Sequence, residues 1–349
     1  MFKFLPPSVA RHITGLPLRL KLLPGTALSC VIAMAATLVS TQHGGPQMLF
    51  ALFFGVAFHY LSREATTRPG IEFCARTVLR LGVGLLGARI TASQIASLGW
   101  NTAAIVIAAV VTTLFCGVLL GRRLGLNRAE SVLSGGAVAI CGASAALAIS
   151  SVLPRNKESE RFTLMVVVTV TVLSTLAMVI YPMLSSLLNL PPELAGLFLG
   201  GTIHDVAQVV GAGYMLSPDT GDYATIVKLF RVSMLAVIVF IVSMVFKRQR
   251  EENNDNTITK SRQPLVPWFL LVFVALVLLN SAGVISTAMQ TGLNDVSRAC
   301  LVVAIAALGM KTSFMQLAQA GWRPFALLLV ETLWMAGFVL VAIMLVKLS

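Results

Sequence analysis

The chain alternates between long apolar runs and short polar breaks, and that alternation sets its architecture. Eleven runs stand out, at 23–41, 46–61, 72–88, 100–121, 131–153, 162–185, 194–216, 224–246, 265–285, 296–310 and 322–347. Most have roughly the 16–25 residues that carry a helix across a hydrocarbon core of about 30 Å. The pattern predicts an all-α polytopic membrane protein with about 9–11 transmembrane helices. It reads as one transporter domain over 1–349, with 1–22 as a cytoplasmic tail. The one hydrophilic stretch, KRQREENNDNTITKSRQ at 247–263, reads as a cytoplasmic loop.

The polar breaks are not alike. Lys and Arg gather in 1–22, 62–76, 122–128, 154–161, 247–262 and 311–323, whereas 42–45, 186–193 and 217–223 have none. Under the positive-inside rule the basic loops and the N-terminus face the cytoplasm. The loop 154–161 joins them only if 131–153 and 194–216 each enter and leave on one side. Composition marks the same two segments. The first carries Gly135-Gly136, then Cys141-Gly142-Ala143-Ser144; the second carries Gly200-Gly201-Thr202-Ile203-His204-Asp205, then Gln208. Paired glycines weaken a helix, and Gly-interrupted segments point to a transporter's midplane site. Both are expected to be broken or re-entrant. A break at Gly200-Gly201 would start a new helix at 201–204, whose amide end would bind an anion beside His204. Close helix packing through small residues is the competing explanation of the glycines.

The chain also repeats itself. LGARITASQIASLGW (86–100) aligns without gaps on LGMKTSFMQLAQAGW (308–322), with Arg89 facing Lys311. The first copy falls on an outer loop and the second on an inner one, the mark of an inverted repeat.

Composition narrows the function. With 57% apolar and 11% charged residues, a soluble enzyme, a disordered chain and a one-span anchored domain are all excluded. The net charge of +12 reflects orientation in the bilayer, so no nucleic-acid partner is expected. Cys30, Cys74, Cys116, Cys141 and Cys300 lie in apolar runs as packing residues, and His12, His43, His59 and His204 lack ligand spacing. No metal or cofactor is expected. Carboxylate clusters, an H-E-x-x-H pair, a G-x-S-x-G elbow and a nucleotide-binding loop are all missing, which argues against an intramembrane enzyme or an ATP-driven pump.

Ionisable residues inside apolar runs default to function. Here they are Arg76, Arg80, His204, Asp205, Lys228, Arg231 and Glu331. Four cations against the interior suit a small anionic substrate, with Lys228 or Arg231 alternatively pairing with Asp205. The candidate site comprises Gly135, Gly136, Cys141, Gly142, Ser144, Gly200, Gly201, Thr202, His204, Asp205, Gln208, Arg80, Lys228 and Arg231. His204 beside Asp205 is a natural proton carrier. Coupling to protons or to sodium, and assembly into a homo-oligomer, stay open.

The stretches LRLGVGLLGARIT (79–91), GGAVAICGASAALA (135–148), GGTIHDVAQVVGAG (200–213), KLFRVSML (228–235) and AALGMKTS (306–313) resemble the bacterial YeiH-type membrane proteins, whose family name assigns them sulfate export. The resemblance runs nearly the whole chain, in order. It implies a multi-pass inner-membrane protein similar in plan to sodium/proton antiporters and bile-acid symporters. Asp205 stands where that family more often has Glu, and Val237 where it has Pro. The expected function is secondary transport, in the export direction, of a small sulfate-, sulfite- or organosulfonate-like anion. The runner-up is a cation/proton antiporter using Asp205.

Overall fold

A computed structural model describes residues 18–154, 157–246, 268–312 and 322–348. Among these the regular structure is helical throughout. The hydrophilic stretch 247–263 and most of the tail 1–22 lie outside the described residues, as does most of the second repeat copy.

Every apolar run holds helix. The order is α1 (Leu18–His43), α2 (Gln47–Ala57), α3 (Arg68–Phe73), α4 (Leu79–Leu85), α5 (Ala92–Ser97), α6 (Gly99–Arg123), α7 (Arg128–Ala139), α8 (Ala143–Ser150), α9 (Lys157–Leu187), α10 (Pro192–Thr202), α11 (Val206–Leu216), α12 (Pro218–Val245), α13 (Trp268–Ser281), α14 (Thr287–Lys311) and α15 (Trp322–Leu348). Stretches of α1, α6, α9, α12, α14 and α15 are long and apolar enough to cross a membrane. The run 72–88 departs from a simple helix, because a π-helical turn at Cys74–Val78 joins α3 to α4. Among its described residues the run 265–285 holds a helix of fourteen.

The two Gly-containing runs are helical hairpins. A Cβ added to Gly136 near the end of α7 would lie 2.3 Å from the side chain of Ile149 near the end of α8, so the chain has doubled back. Ala129, Glu130 and Leu133 at the start of α7 accordingly share a recess with Ser150, the last residue of α8, and Leu153 just past it. In the second hairpin, Gly196 early in α10 packs on Tyr223 and Ala224, and Gly213 late in α11 packs on Gly221 and Ala224. Both feet of that hairpin therefore stand at the start of α12.

One helix fixes how the hairpins relate. The first leads into the N-terminal end of α9 and the second follows its C-terminal end. With 31 residues, α9 is about 46 Å long, so the feet lie at opposite ends of the bundle. The tips meet between them: Gly142, at φ +62°, puts its Cβ position 3.2 Å from Cβ of His204.

The helices form two packed groups. One contains α1–α4, α13 and α14, and includes backbone-to-backbone approaches such as Gly55 on Gly309 and Gly25 on Gly70. The other contains α6–α12 and α15, with the hairpins at its centre. Helix α11 touches α2 and α14 across the boundary.

Candidate functional site

The hairpin tips leave backbone groups in want of partners. A helix ends with carbonyls that its own amides do not reach and begins with amides that reach no carbonyl. Here α7 and α10 present carbonyl ends at mid-depth, and α8 and α11 present amide ends.

Two buried cations serve the carbonyl ends. Lys228 Nζ donates to Ile140 O (2.7 Å) and Ile203 O (2.9 Å), one on each tip. Three residues along α12, Arg231 donates through Nε and Nη2 to Ala139 O, through Nη2 to Val138 O (3.1 Å), and through Nη1 to Gly200 O (3.0 Å) and Ile203 O (3.1 Å). Both side chains are 0% exposed. Their positive charges face the ends where helix dipoles place about half a negative charge each. The expected spacing does put the pair on one face of α12, but neither residue forms an ion pair with Asp205. The pairing alternative therefore gives way to a staple made of carbonyls.

The amide ends differ from each other. Asp205 is the N-cap of α11: its Oδ1 accepts the Ala207 N–H at 2.8 Å, while its own N–H donates to Ser174 Oγ at 3.0 Å. The α8 end, at Gly142, has no side-chain cap. Exposure divides the same way. Ser144 is exposed and Ala143, Asp205 and Val206 are half-buried, whereas the carbonyl ends are buried. The positive charges acting on the Asp205 carboxylate are those of Lys228 first, then Lys311 and Arg80.

Several expectations are corrected. Gly200 and Gly201 do not break their helix, which runs on to Thr202; the break is at 203–205 and the new helix starts at Val206. Gly135 and Gly136 likewise lie inside α7, and the break is at 140–142. These four glycines are buried packing residues. A Cβ on Gly200 would come 2.4 Å from Ala224 O, and one on Gly135 within 3.3 Å of Leu114 Cα. Thr202 is buried, its hydroxyl donating to Phe198 O at 2.5 Å. Arg76 and Arg80 are exposed rather than buried among the helices.

His204 lies between the two amide ends, with its ring buried. Its Nε2 lies 3.0 Å from Thr332 Oγ1, whose own hydroxyl proton goes to Leu328 O, so the imidazole donates and is anchored to α15. Gln208 does lie one turn beyond, buried, with Nε2 donating to Thr175 Oγ1 at 2.7 Å. Cys141 is buried, and Ser144 Oγ donates to its carbonyl at 3.1 Å. Glu331 bridges α15 to α7 by accepting from Ser134 Oγ at 2.9 Å.

Sequence reasoning missed Lys311, Ser174, Thr175 and Thr332 as neighbours of the tips. Lys311 carried one signal, its alignment with Arg89. That partner holds Asp222 at 2.8 Å in an ion pair at the opposite end of the bundle from the first hairpin's feet. No group of His, Cys, Asp and Glu among the described residues is placed to hold a metal ion.

A family model described as "Conserved hypothetical protein 698" matches residues 24–328. The chain is 48% identical over 318 residues to the UPF0324 membrane protein CT0845 of Chlorobaculum tepidum, covering 91% of this chain and 88% of that one. It is 48% identical over 317 residues to the UPF0324 membrane protein TauZ of Paracoccus pantotrophus, covering 90% and 93%. Against the UPF0324 membrane protein RB0971 of Rhizobium meliloti it is 46% identical over 318 residues, 91% of each chain. No solved structure matches.

Proposed function

The chain belongs to the conserved hypothetical protein 698 family of membrane proteins, and we propose that it acts as a secondary transporter of a small anion rather than as an enzyme. One observation carries this reading. The buried cations are committed to the carbonyl ends, which leaves an uncapped amide end at α8, exposed at Ser144. Such an end attracts a small anion through its free N–H groups and its partial positive charge. Turned away from Cys141 O, the Ser144 hydroxyl would add a donor to these N–H groups, and Lys311 and Arg80 on α14 and α4 add positive charge on the Asp205 side of the tips. A sulfate-, sulfite- or sulfonate-like group satisfies that donor set with its several acceptor oxygens.

Asp205 is the natural seat for the coupling ion, a proton or sodium, because its half-buried carboxylate stands at the other amide end. That same carboxylate supports the second reading, a cation/proton antiporter. The basic loops support a cytoplasmic N-terminus, an inner-membrane location is proposed with it, and export is the proposed direction.

Purified protein in liposomes, offered a panel of anions under imposed pH or sodium gradients, separates these readings. Gradient-driven movement of an anion, lost in Ser144→Ala and Lys311→Gln variants that still fold, is the expected result. Proton–sodium exchange with no anion moved would establish the second reading.

A further inference from the structure

A cavity of about 520 Å³ opens between the two helix groups, at the end of the bundle holding the feet of the second hairpin. That volume falls in the range of small-molecule sites, roughly 300–1,000 Å³. Arg89, Arg298, Asn294, Asp295 and Tyr214 are among its lining residues, contributed by α11, α14 and the turn after α4.

Its polar groups are incompletely used. Arg298 spends Nε on Gln47 Oε1 at 3.1 Å, which leaves both Nη groups for the cavity. Asn294 Oδ1 is buried with no hydrogen-bond partner among the described residues. Asp295 is exposed in the lining and forms no ion pair with any described residue. A buried acceptor left bare is costly, and ligands commonly complete such a set. The unused donors call for an anionic group and the unused acceptors for an N–H-bearing cation, both within one small molecule.

Arg89 adds a competition. Its Nε donates to Asp222 Oδ2 at 2.8 Å, and Tyr214 Oη donates to Asp222 Oδ1 at 2.5 Å. This carboxylate belongs to α12, the helix that staples the hairpin tips, whereas Arg89 follows α4 in the other group. The ion pair thus ties the two groups together at the cavity wall.

We propose that this cavity binds a small zwitterion of amino-acid type, its anionic end displacing Asp222 from Arg89 and its ammonium taken by Asp295 and Asn294 Oδ1. Arg298 shares the anionic end. Binding frees α12 from the α4 side, so the ligand loosens the tie between the helix groups as it settles. The inference extends the transport reading, since it names a substrate class carrying both charges, but it rests on different residues.

The test is equilibrium binding to the purified full-length protein in detergent, with β-alanine as probe and propionate as its counterpart lacking the ammonium. β-Alanine is expected to bind and propionate to bind about tenfold or more weakly, one lost charge-assisted contact being worth about that factor. Arg298→Gln should weaken β-alanine about tenfold, while Asp222→Asn should tighten it, because the internal competitor is gone. If Asp222→Asn proves unstable, Asn294→Leu removes an acceptor for the ammonium and should weaken β-alanine while leaving propionate unchanged. Equal binding of both probes, no binding of either, weaker binding in Asp222→Asn, or unchanged β-alanine binding in Asn294→Leu would overturn the proposal. Because no transport is measured, a negative result leaves the Ser144 reading standing, and a failure of that reading leaves this one testable.

Discussion

The carbonyl staple makes a graded prediction about Lys228 and Arg231. Lys228→Met removes bonds to Ile140 O and Ile203 O, but Arg231 Nη1 still reaches Ile203 O, so one buried carbonyl is orphaned. Arg231→Met strips Val138 O, Ala139 O and Gly200 O, three carbonyls that Lys228 does not reach. Each orphaned acceptor costs about 1–3 kcal/mol, so the expected losses are about 1–3 and about 3–9 kcal/mol respectively. At roughly 2–4 °C per kcal/mol, the first variant should melt about 2–12 °C below the parent and the second about 6–36 °C below it. Melting of purified protein in a single detergent, followed by intrinsic fluorescence, measures both. Adding Asp205→Asn to Lys228→Met tests the cause, since an ion pair broken on one side is relieved by removing its partner. The staple predicts no rescue. Rescue by Asp205→Asn, or a Lys228→Met loss equal to that of Arg231→Met, would refute the reasoning.

Other outcomes follow from the same structure. Cysteines replacing Arg122 and Glu158 in a cysteine-free background should react with an impermeant thiol reagent from one side, and cysteines replacing Glu193 and Asp219 from the other; mixed accessibility within a pair would undo its hairpin. Gly142→Ala should cost about 1–3 kcal/mol, because φ +62° is unfavourable for a residue with a Cβ and His204 leaves little room for one; an unchanged melting point would refute the tip contact. Gly200→Ala should be at least as damaging, its Cβ meeting the Ala224 carbonyl rather than a yielding side chain, and thermal melting again decides. Glu331→Gln keeps an acceptor for Ser134 and should leave stability nearly unchanged, while Glu331→Leu should lose about 1–3 kcal/mol; equal losses would show that the Ser134 bond contributes nothing.

The sequence announced the hairpins through two independent signals, the basic loop 154–161 and the Gly-rich stretches. It misplaced the second break by a few residues and left the first unplaced between Gly135-Gly136 and Gly142. Paired glycines attract attention because they are poor helix formers, yet in α7 and α10 they are spent on close packing against α6 and α12. The breaks fall where a side chain caps the next helix, at Asp205, or where φ turns positive, at Gly142. The N-cap preference of Asp was visible in the sequence; which helix it would cap was not. Lys228 and Arg231 were legible as important because charge in an apolar run is costly. Their partners were not, since main-chain carbonyls leave no trace in residue identity. The cavity beside Arg89 was hidden for another reason: its walls come from loops and helix ends more than 200 residues apart, and only folding brings them together.

The staple also bears on the order in which the chain is made. The carbonyls of Val138, Ala139 and Ile140 find their donors 93, 92 and 88 residues later, on α12. At roughly 5–20 residues per second, the tip of the first hairpin exists for several seconds before Lys228 and Arg231 are synthesised. Bare carbonyls do not rest in hydrocarbon over such an interval. The first hairpin must therefore wait in a hydrated setting, at the membrane surface or within the insertion machinery, and sink to mid-depth only when α12 arrives. Both hairpins then enter in one step, so in a chain truncated before residue 228 the first hairpin should stay hydrated while α1, α6 and α9 still insert.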